Sequence, residues 1–516
     1  MVDGDAGVRV PGAVVDLWYR SARTDRHGVA EIVVPARRDL NVTVRARGYG
    51  SRTLYEPFVQ FRHVTARIYR PQLQWPVYGA TPSRSQAQQY IRLRPPFRTV
   101  WAVPLGGLIE FPAVVDDGVA YIGNFKGTLH AISMRFGTIL WRHETPHGEM
   151  ASSPAVDGDK LVYHSMDGHV FVLDRADGRL VWSWTVGSAI ESSPIVRDGV
   201  DYFGTWSGRL YALDLRTHRL RWSRELGAKV TSSAAIAGGT LYIGDYAGRI
   251  WALSVRTGAT RWAGSVNGRV YGTPAVAGGR VFVPSSTGGS MTAFSTGGRY
   301  LWRVATGSYV YSSPAAAGGR VFFGSYNGVF YGVSAASGRI LWQVGTGGAI
   351  SGAAVVVDGV AYAGNFADRI VSVDAPAGHA VRLEVAEVLL ELREEGERTR
   401  RGVRVPERRQ LRQLRGDDAG AERWKPGLVL HSLRDVMPVP RRVRRPQPML
   451  PERMRDAATH ELRRALAPRG RRRRPHECEQ RDDDGFLQRK ARTGSTAYSV
   501  EYPWKSSRMP FPDTGT

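Results

Sequence analysis

Histidine and aspartate side chains are the first candidates for chemistry, because they are common metal ligands and general acids or bases. Five histidines in the middle of the chain are scattered singly, a pattern more typical of satisfied surface residues than of ligands. Three aspartates recur at one point of a repeated pattern, which suits turn capping better than catalysis. These residues are His143, His147, His164, His169, His218, Asp174, Asp214 and Asp374.

Catalytic sequence motifs do not accompany these residues. The chain has no G-x-S-x-G nucleophile motif, no H-E-x-x-H zinc motif and no phosphate-binding loop. Its single cysteine, Cys478, excludes an intrachain disulfide and any site with several cysteine ligands. The sequence therefore predicts no catalytic residue, no cofactor-binding residue and no metal ligand.

Tryptophan recurs with a spacing of 40 or 41 residues through the middle of the chain, and this period indicates a repeat architecture. The copy at residues 312–342 contains a short apolar run, a tight turn, a β-rich run, a second glycine-containing turn and two further strands. Three hairpins per copy predict a four-stranded antiparallel blade, and blades arranged radially predict an all-β propeller. The tryptophans are Trp101, Trp141, Trp182, Trp222, Trp262, Trp302 and Trp342.

The copy at residues 192–222, SSPIVRDGVDYFGTWSGRLYALDLRTHRLRW, resembles the pyrroloquinoline-quinone (PQQ)-type propeller repeat. That repeat reads roughly SSPxV, DGxVYxG, GxLYALD and TGxxxW, and His218 stands where glycine is usual. The family includes quinoprotein dehydrogenases, an outer-membrane assembly lipoprotein and sensor propellers. The resemblance implies that the seven tryptophans pack between neighbouring blades, as structural groups that dock one blade against the next.

Two sets of loops must emerge on one face of the propeller, because strand direction alternates within a blade. These are the connection into the innermost strand and the turn between the second and third strands. Turn tips are normally polar, so large rings there predict either packing against a neighbouring blade or a partner-binding face. The predicted partner-binding residues are Glu191, Trp206, Tyr246, Tyr271, Tyr311 and Tyr326.

Residues 1–70 are predicted to form a small separate β-sandwich, with strands at residues 13–19, 29–34 and 41–46. The turn Thr24-Asp25-Arg26-His27-Gly28 and the later segment AxGY are similar to the carboxypeptidase-regulatory-like, or transthyretin-like, sandwich. The first strand of such a sandwich would need residues before Met1. Residues 71–96 are predicted to be a linker, and their WPVYG stretch followed by Arg84 resembles a segment that often precedes these propellers.

The propeller is predicted to span residues 97–381, with residues 97–103 pairing with the last blade to close a ring of seven blades. Eight blades, which are common in this family, would need another set of strands after residue 382. The next tryptophan is expected at that position, but Arg382 stands there. The alternatives for the arginine-rich residues 382–516 are a disordered tail, a shifted reading frame that removed an eighth blade, or a polyanion-binding segment.

Most of the net charge of +24 lies outside residues 101–381, so a nucleic-acid partner is expected only through the basic tail. No stretch has the length and hydropathy of a membrane span or a signal peptide, and the resemblance alone implies an envelope location. Two functions remain open. One is a non-catalytic, monomeric scaffold that binds a protein or polymer and has no cofactor. The other is a PQQ- and Ca²⁺-dependent dehydrogenase. The sequence has no adjacent cysteines and no long insertions between repeats, and both absences count against this alternative.

Overall fold

Antiparallel β-sheets make up nearly all of the regular structure in the part of the chain that the structure describes. The computed structural model describes residues 1–34, 39–56, 63–145 and 148–385. Within these ranges the only helix is a single 3₁₀ turn, Pro71–Leu73. No helix of the described residues is both long and apolar enough to span a membrane.

Seven antiparallel blades of four consecutive strands follow one another along the chain, and consecutive strands of a blade are hydrogen-bonded neighbours. We number them blade 1 to blade 7. In the last sheet a fifth strand, Ala87–Gln88, pairs in parallel with Val355–Val357. The first, innermost strands are Val114–Asp116, Ala155–Asp157, Ile195–Arg197, Ala235–Ala237, Ala275–Ala277, Ala315–Ala317 and Val355–Val357. The second strands are Val119–Gly123, Lys160–His164, Val200–Gly204, Thr240–Gly244, Arg280–Ser285, Arg320–Gly324 and Val360–Asn365.

The third and fourth strands complete each blade, and a register shift near the end of the third strand bends every sheet. The third strands are Thr128–Ser133, His169–Asp174, Arg209–Asp214, Arg249–Ser254, Ser290–Ser295, Val329–Ser334 and Arg369–Asp374. The fourth are Ile139–Glu144, Leu180–Thr185, Arg219–Glu225, Thr260–Ser265, Tyr300–Ala305, Ile340–Gly345 and Ala380–Val385. The predicted all-β propeller fold is confirmed.

Apolar residues from neighbouring blades form shared cores. One core combines Tyr202 and Leu210 of blade 3 with Ile236 and Leu253 of blade 4, all of them buried. A four-stranded sheet cannot bury both of its faces alone, and the contact with the next blade removes this apolar surface from water.

Each repeat tryptophan packs on the turn between the third and fourth strands of the following blade. A Cβ at Gly378, for example, would lie 2.3 Å from the ring of Trp342, so only glycine fits there. His218 takes this position opposite Trp182, with a φ of 57° and a ring-to-ring distance of 4.3 Å. Indole N–H groups also donate to this turn, in the pairs Trp101–Met134, Trp141–Arg175, Trp222–Val255, Trp262–Thr296, Trp302–Ala335 and Trp342–Ala375. Each of the seven tryptophans thus contacts the following blade, and their docking role stays a prediction.

The predicted pairing of residues 97–103 with the last blade is wrong. Blade 7 has its own fourth strand, and no described strand pairs with residues 97–103. Trp101 instead lies against blade 1, where its indole N–H donates to the carbonyl of Met134 at 2.9 Å, as Trp141 does one blade later. The segment therefore takes the place of the fourth strand of a blade that would precede blade 1.

The fourth strand of blade 7 continues to Val385, four residues beyond the predicted end of the propeller. In its register Arg382 pairs with Ser372, just as Trp342 pairs with Gly332 in blade 6. Arg382 thus stands at the tryptophan position, as the spacing predicts. The alternatives proposed for the tail concern residues that, from 386 onward, lie outside the described part of the chain.

The N-terminal residues form a four-stranded antiparallel sheet and a two-stranded parallel sheet. The strands are Val14–Leu17, Arg20–Arg23, Leu40–Arg45 and Arg52–Glu56 in the larger sheet and Val2–Asp3 and Arg67–Ile68 in the smaller. The predicted strand at residues 29–34 does not form, because the hairpin partner of Val14–Leu17 is Arg20–Arg23. The likeness to a carboxypeptidase-regulatory-like sandwich stays a prediction.

Candidate binding face of the propeller

Residues 75–88, which we call the plug segment, run along the inside of the ring. Their backbone hydrogen-bonds to the middle residue of the first strand in six blades, at 2.7 to 2.9 Å. The sequence analysis assigns these residues to a linker, whereas the structure packs them against the innermost strands. The N–H groups of Val115, Val156, Ile236, Val276, Ala316 and Val356 donate to the carbonyls of Trp75, Pro76, Pro82, Ser83, Ser85 and Gln86.

Arg84 connects the plug segment to blade 3, the one blade that those backbone bonds omit. Its side chain is almost fully buried, and its guanidinium donates to the carbonyls of Tyr78, Ser193, Pro194 and Ala234. No carboxylate of the described residues forms an ion pair with it. Burial lowers its pKa to about 10.

A chain of hydroxyl-bearing residues runs next to the plug segment from blade 2 to blade 6. The backbone N–H of Ser153 donates to the Oγ of Ser193, and this contact is repeated from Ser193 to Ser233, from Ser233 to Thr273 and from Thr273 to Ser313. The tyrosine of the plug segment, Tyr78, donates to Ser313 at 3.0 Å. The second serine of the repeated SSP motif therefore links neighbouring blades.

The predicted partner-binding residues lie at the opposite end of the first strands from the Asp-Gly and Gly-Gly turns. Glu191 is buried, and its Oε2 accepts a hydrogen bond of 2.9 Å from the indole N–H of Trp206. The hydroxyl of Tyr271 also hydrogen-bonds to Glu191. Burial raises the pKa of this carboxyl group, and the tyrosine, the indole and Lys229 offset only part of that effect.

Two cations lie against the rings of this face. The Nζ of Lys229 is 3.2 Å from the ring centroid of Trp206 and 5.1 Å from that of Tyr246, a geometry typical of cation–π contacts. The guanidinium carbon of Arg269 is 5.6 Å from the Tyr246 ring. Burial raises the pKa of Tyr246 to about 12 and lowers that of Lys229.

Tyrosines continue the face across blades 5, 6 and 7. The ring centroid of Tyr311 is 5.5 Å from that of Tyr271 and 5.1 Å from that of Tyr326. Tyr326 in turn is 5.8 Å from Phe366, whose side chain is 60% exposed. A cavity of about 280 Å³ opens beside Tyr326 among the glycines of blades 6 and 7. The rings thus form one connected surface with an open end.

The structure brings all six predicted residues together, and we call them, with Lys229, the aromatic face. Each ring contacts a neighbouring blade, as packing between blades requires, and most rings are only half-buried, as a partner-binding face requires. Both alternatives for the rings therefore remain open. The role of the six in partner binding stays a prediction. Sequence reasoning placed Lys229 on these loops but missed its position over two rings, because the spacing of residues does not show which side chains from different blades meet.

The described histidines and aspartates among those considered first have structural partners, and His147 lies outside the described residues. Asp174, Asp214 and Asp374 each accept a backbone N–H from the turn that follows, which confirms the predicted capping role. His164 is an exception to the expected surface placement, because it is fully buried with its Nε2 2.9 Å from Asp201 and its Nδ1 2.7 Å from the carbonyl oxygen of Ser192. No group of three or more histidine, cysteine or acidic side chains within the described ranges could hold a metal ion.

The raised pKa of Glu191 predicts a specific dependence of stability on pH. The folded state holds this proton more tightly than the unfolded state, so ionisation weakens folding as the pH rises above about 4.5, the ordinary value for glutamate. Glu191→Gln removes the ionisation. We expect the variant to gain free energy of unfolding relative to the unmodified protein between pH 4.5 and 8, as measured by urea titration.

Glu225→Gln is the matched control, because Glu225 lies on the fourth strand of blade 3 with its side chain 52% exposed. Its effect should be nearly independent of pH over the same range. A Glu191→Gln effect that is equally constant would mean that the carboxyl group of Glu191 titrates at its ordinary pKa.

Two successive stretches of the chain, residues 97–237 and 224–388, match the family described as outer membrane protein assembly factor BamB. Together they cover more than half of the chain. The BamB protein of Nitrosomonas eutropha is 29% identical over 112 residues, which are 21% of this chain and 27% of that protein. BamB of Bordetella pertussis is 27% identical over 97 residues, 19% of this chain and 25% of that protein. These matches span only about a quarter of the length of either relative.

Solved structures show the same kind of fold. A europium-containing methanol dehydrogenase superposes with a TM-score of 0.53 at 12% identity, over 60% of this chain and 85% of that chain. BamB of Moraxella catarrhalis superposes with a TM-score of 0.47 at 25% identity, over 52% and 84%. At such identities the dehydrogenase shows the fold alone. The family match over residues 97–388, together with the seven sheets and their repeated tryptophans, shows that the chain belongs to the BamB family of PQQ-type propeller proteins.

Proposed function

We propose that this protein is a non-catalytic binding module that captures a protein partner in the cell envelope through its aromatic face. The observation that carries the proposal is the connected set of rings around the buried Glu191, on loops that are usually polar. Aromatic side chains at the centre of an interface commonly supply most of its binding energy.

The geometry of the aromatic face favours binding because its rings are already held in place. Trp206 is fixed by its hydrogen bond to Glu191 and by the Lys229 ammonium group over its ring. Tyr311 is fixed between Tyr271 and Tyr326. A side chain that is ordered before binding loses little conformational entropy when a partner covers it.

The family supports a protein as the partner. The relatives are named as outer membrane protein assembly factors, so a protein partner and an envelope location follow if this chain shares their role. The polarity of the aromatic face suits such a partner, with aromatic rings beside the exposed cation of Arg269.

Alanine substitution at Trp206 and Tyr246 tests the proposal. We expect each variant to bind purified outer membrane assembly proteins of the same source more than about tenfold more weakly, because truncating a central aromatic residue costs about 2 kcal/mol or more. The dissociation constants are measured by biolayer interferometry with the propeller immobilised. The melting temperatures should change little, since both rings are only half-buried.

Arg216→Ala and Arg256→Ala are the controls, because both residues are exposed on turns at the opposite face. They should leave binding unchanged. If the two aromatic variants unfold the ring or bind as tightly as the unmodified protein, the rings are packing groups and the partner binds elsewhere.

The quinone-dependent dehydrogenase remains the alternative, and two of the similar folds are a methanol and an alcohol dehydrogenase. A calcium ion that supports such a quinone needs several oxygen ligands. Within the described ranges the acidic residue of the aromatic face, Glu191, is already bonded to Trp206 and Tyr271, and no metal-binding group of three or more histidine, cysteine or acidic side chains is present. These residues do not fit the cofactor. Saturable binding of the quinone with Ca²⁺ and dye-linked oxidation of an alcohol would support the alternative.

A further inference from the structure

A second concave region lies on the face opposite the aromatic face, between blades 5, 6 and 7 and the end of the plug segment. It is a groove of about 740 Å³, and it lies beside the turns at Gly278-Gly279 and Gly318-Gly319. Its apolar walls include Ala277, Ala317 and Ala335. A volume of this size suits a small-molecule ligand.

Two arginines line this groove at equivalent positions of adjacent blades. Arg280 and Arg320 are the first residues of the second strands of blades 5 and 6. One terminal nitrogen of each donates to a carbonyl of its own turn, Gly278 or Gly318. The Nε atom of each is buried with no hydrogen-bond partner. Unpaired buried donors are costly and rare, so this arrangement needs an explanation.

The equivalent cation of blade 2 has an acidic partner that Arg280 and Arg320 lack. There Lys160 lies opposite Asp174 on the third strand, and its Nζ is 3.9 Å from that carboxylate and 3.1 Å from Asp159. In blades 5 and 6 the residues opposite the arginines are Ser295 and Ser334. Neither arginine has a carboxylate within ion-pair distance among the described residues. Blades 5 and 6 therefore keep the positive charge seen in blade 2 but have serine in place of its acidic partner.

Another arginine of the groove shows how a carboxylate can be held there. Asp358 occupies the turn position in blade 7 that is glycine in blades 5 and 6, and its carboxylate is 2.9 Å from Arg92 and 3.4 Å from Arg94. With Gly278 and Gly318 at this position, the turns of blades 5 and 6 supply no acid and leave open space, since nothing lies within 4 Å of an added Cβ.

We propose that this groove binds a small amphipathic carboxylate, whose acid group lies between Arg280 and Arg320 and whose apolar body covers the alanines of the groove. Guanidinium groups bind carboxylates through charge-assisted hydrogen bonds, and the second terminal nitrogen of each arginine, which is not bonded to Gly278 or Gly318, would supply the donor. The site is separate from the aromatic face, so neither proposal depends on the other.

Octanoate and octan-1-ol are the probes, because they share an apolar body and differ in charge. Titration of the full chain by isothermal calorimetry should give a dissociation constant for octanoate at least about tenfold lower than for octan-1-ol. Equal binding of the two compounds, or tighter binding of octyl phosphate than of octanoate, would overturn the assignment.

Two kinds of variant locate the site. Arg280→Gln with Arg320→Gln should abolish the preference for octanoate, whereas Arg303→Gln on the exposed fourth strand of blade 5 should preserve it. Ser295→Asp with Ser334→Asp keeps both arginines but restores the acid seen in blade 2, so it should also weaken octanoate binding by about tenfold or more. Octanoate binding that is unchanged in both double variants contradicts the proposal. The double aspartate variant keeps both arginines, so it still tests the proposal if the double glutamine variant does not fold.

Discussion

Arg84→Met should lower the free energy of unfolding by about 2–4 kcal/mol, because several buried carbonyl groups lose their hydrogen-bond donor together. Methionine retains most of the apolar stem, so the change removes the guanidinium group with little loss of packing. The carbonyls concerned belong to Tyr78, Ser193, Pro194 and Ala234. Relief of the buried positive charge offsets part of the loss, since burial already lowers the pKa of Arg84 to about 10.

Arg92→Met is the matched control, because Arg92 has an 80% exposed side chain in a surface ion pair with Asp358. Its loss should cost less than about 1 kcal/mol. Both values are obtained from urea unfolding followed by tryptophan fluorescence. An Arg84 variant as stable as the control would mean that the cost of burying the guanidinium group cancels the gain from its hydrogen bonds.

The plug segment shows what sequence patterns leave undetermined. Its hydrogen bonds use backbone carbonyls from Trp75 to Gln86, and a carbonyl carries no information about residue type. Its composition therefore resembles that of a linker. Gly79 is a partial signal, because a Cβ there would lie 2.9 Å from the Cα of Arg84 and its φ is 82°.

The blades were predictable for the opposite reason. Most copies repeat the residues that the blade geometry requires, such as Gly318 and Gly319 with φ values of 55° and 72° in a tight hairpin. The aromatic face was predictable only as a set of loops on one side. Contacts such as that of Lys229 with Trp206 join different repeats, and the sequence period places residues within a blade but not the rotamers that let neighbouring blades meet.

The prediction that residues 97–103 close blade 7 was wrong. In the sequence blade 7 lacks a fourth strand marked by tryptophan, and residues 97–103 form such a strand with no blade of its own. In blade 7 the fourth-strand position is already filled by Ala380–Val385, although Arg382 replaces the tryptophan by which a fourth strand is recognised. Trp101 lies against blade 1 but, unlike the other six tryptophans, belongs to none of the core clusters of the described residues, while Phe97 of the same segment lies 5.9 Å from the Tyr362 ring of blade 7. This difference from the other tryptophans can be measured.

Trp342→Ala should destabilise the propeller much more than Trp101→Ala does. Trp342 is 9% exposed, its ring centroid is 5.7 Å from that of Phe322 and 5.5 Å from that of Phe330, and its indole N–H donates to Ala375. Removing a tryptophan from such a core costs about 3–5 kcal/mol.

Trp101 makes the same contact with the next blade, through Met134 and Gly137, but it belongs to none of the buried core clusters of the described residues. We expect its loss to cost about 1–2 kcal/mol, within the usual range for a partly exposed side chain. Urea unfolding of the two variants under the same conditions gives both values. Equal losses would show that the side chain of Trp101 is packed in solution as fully as that of Trp342.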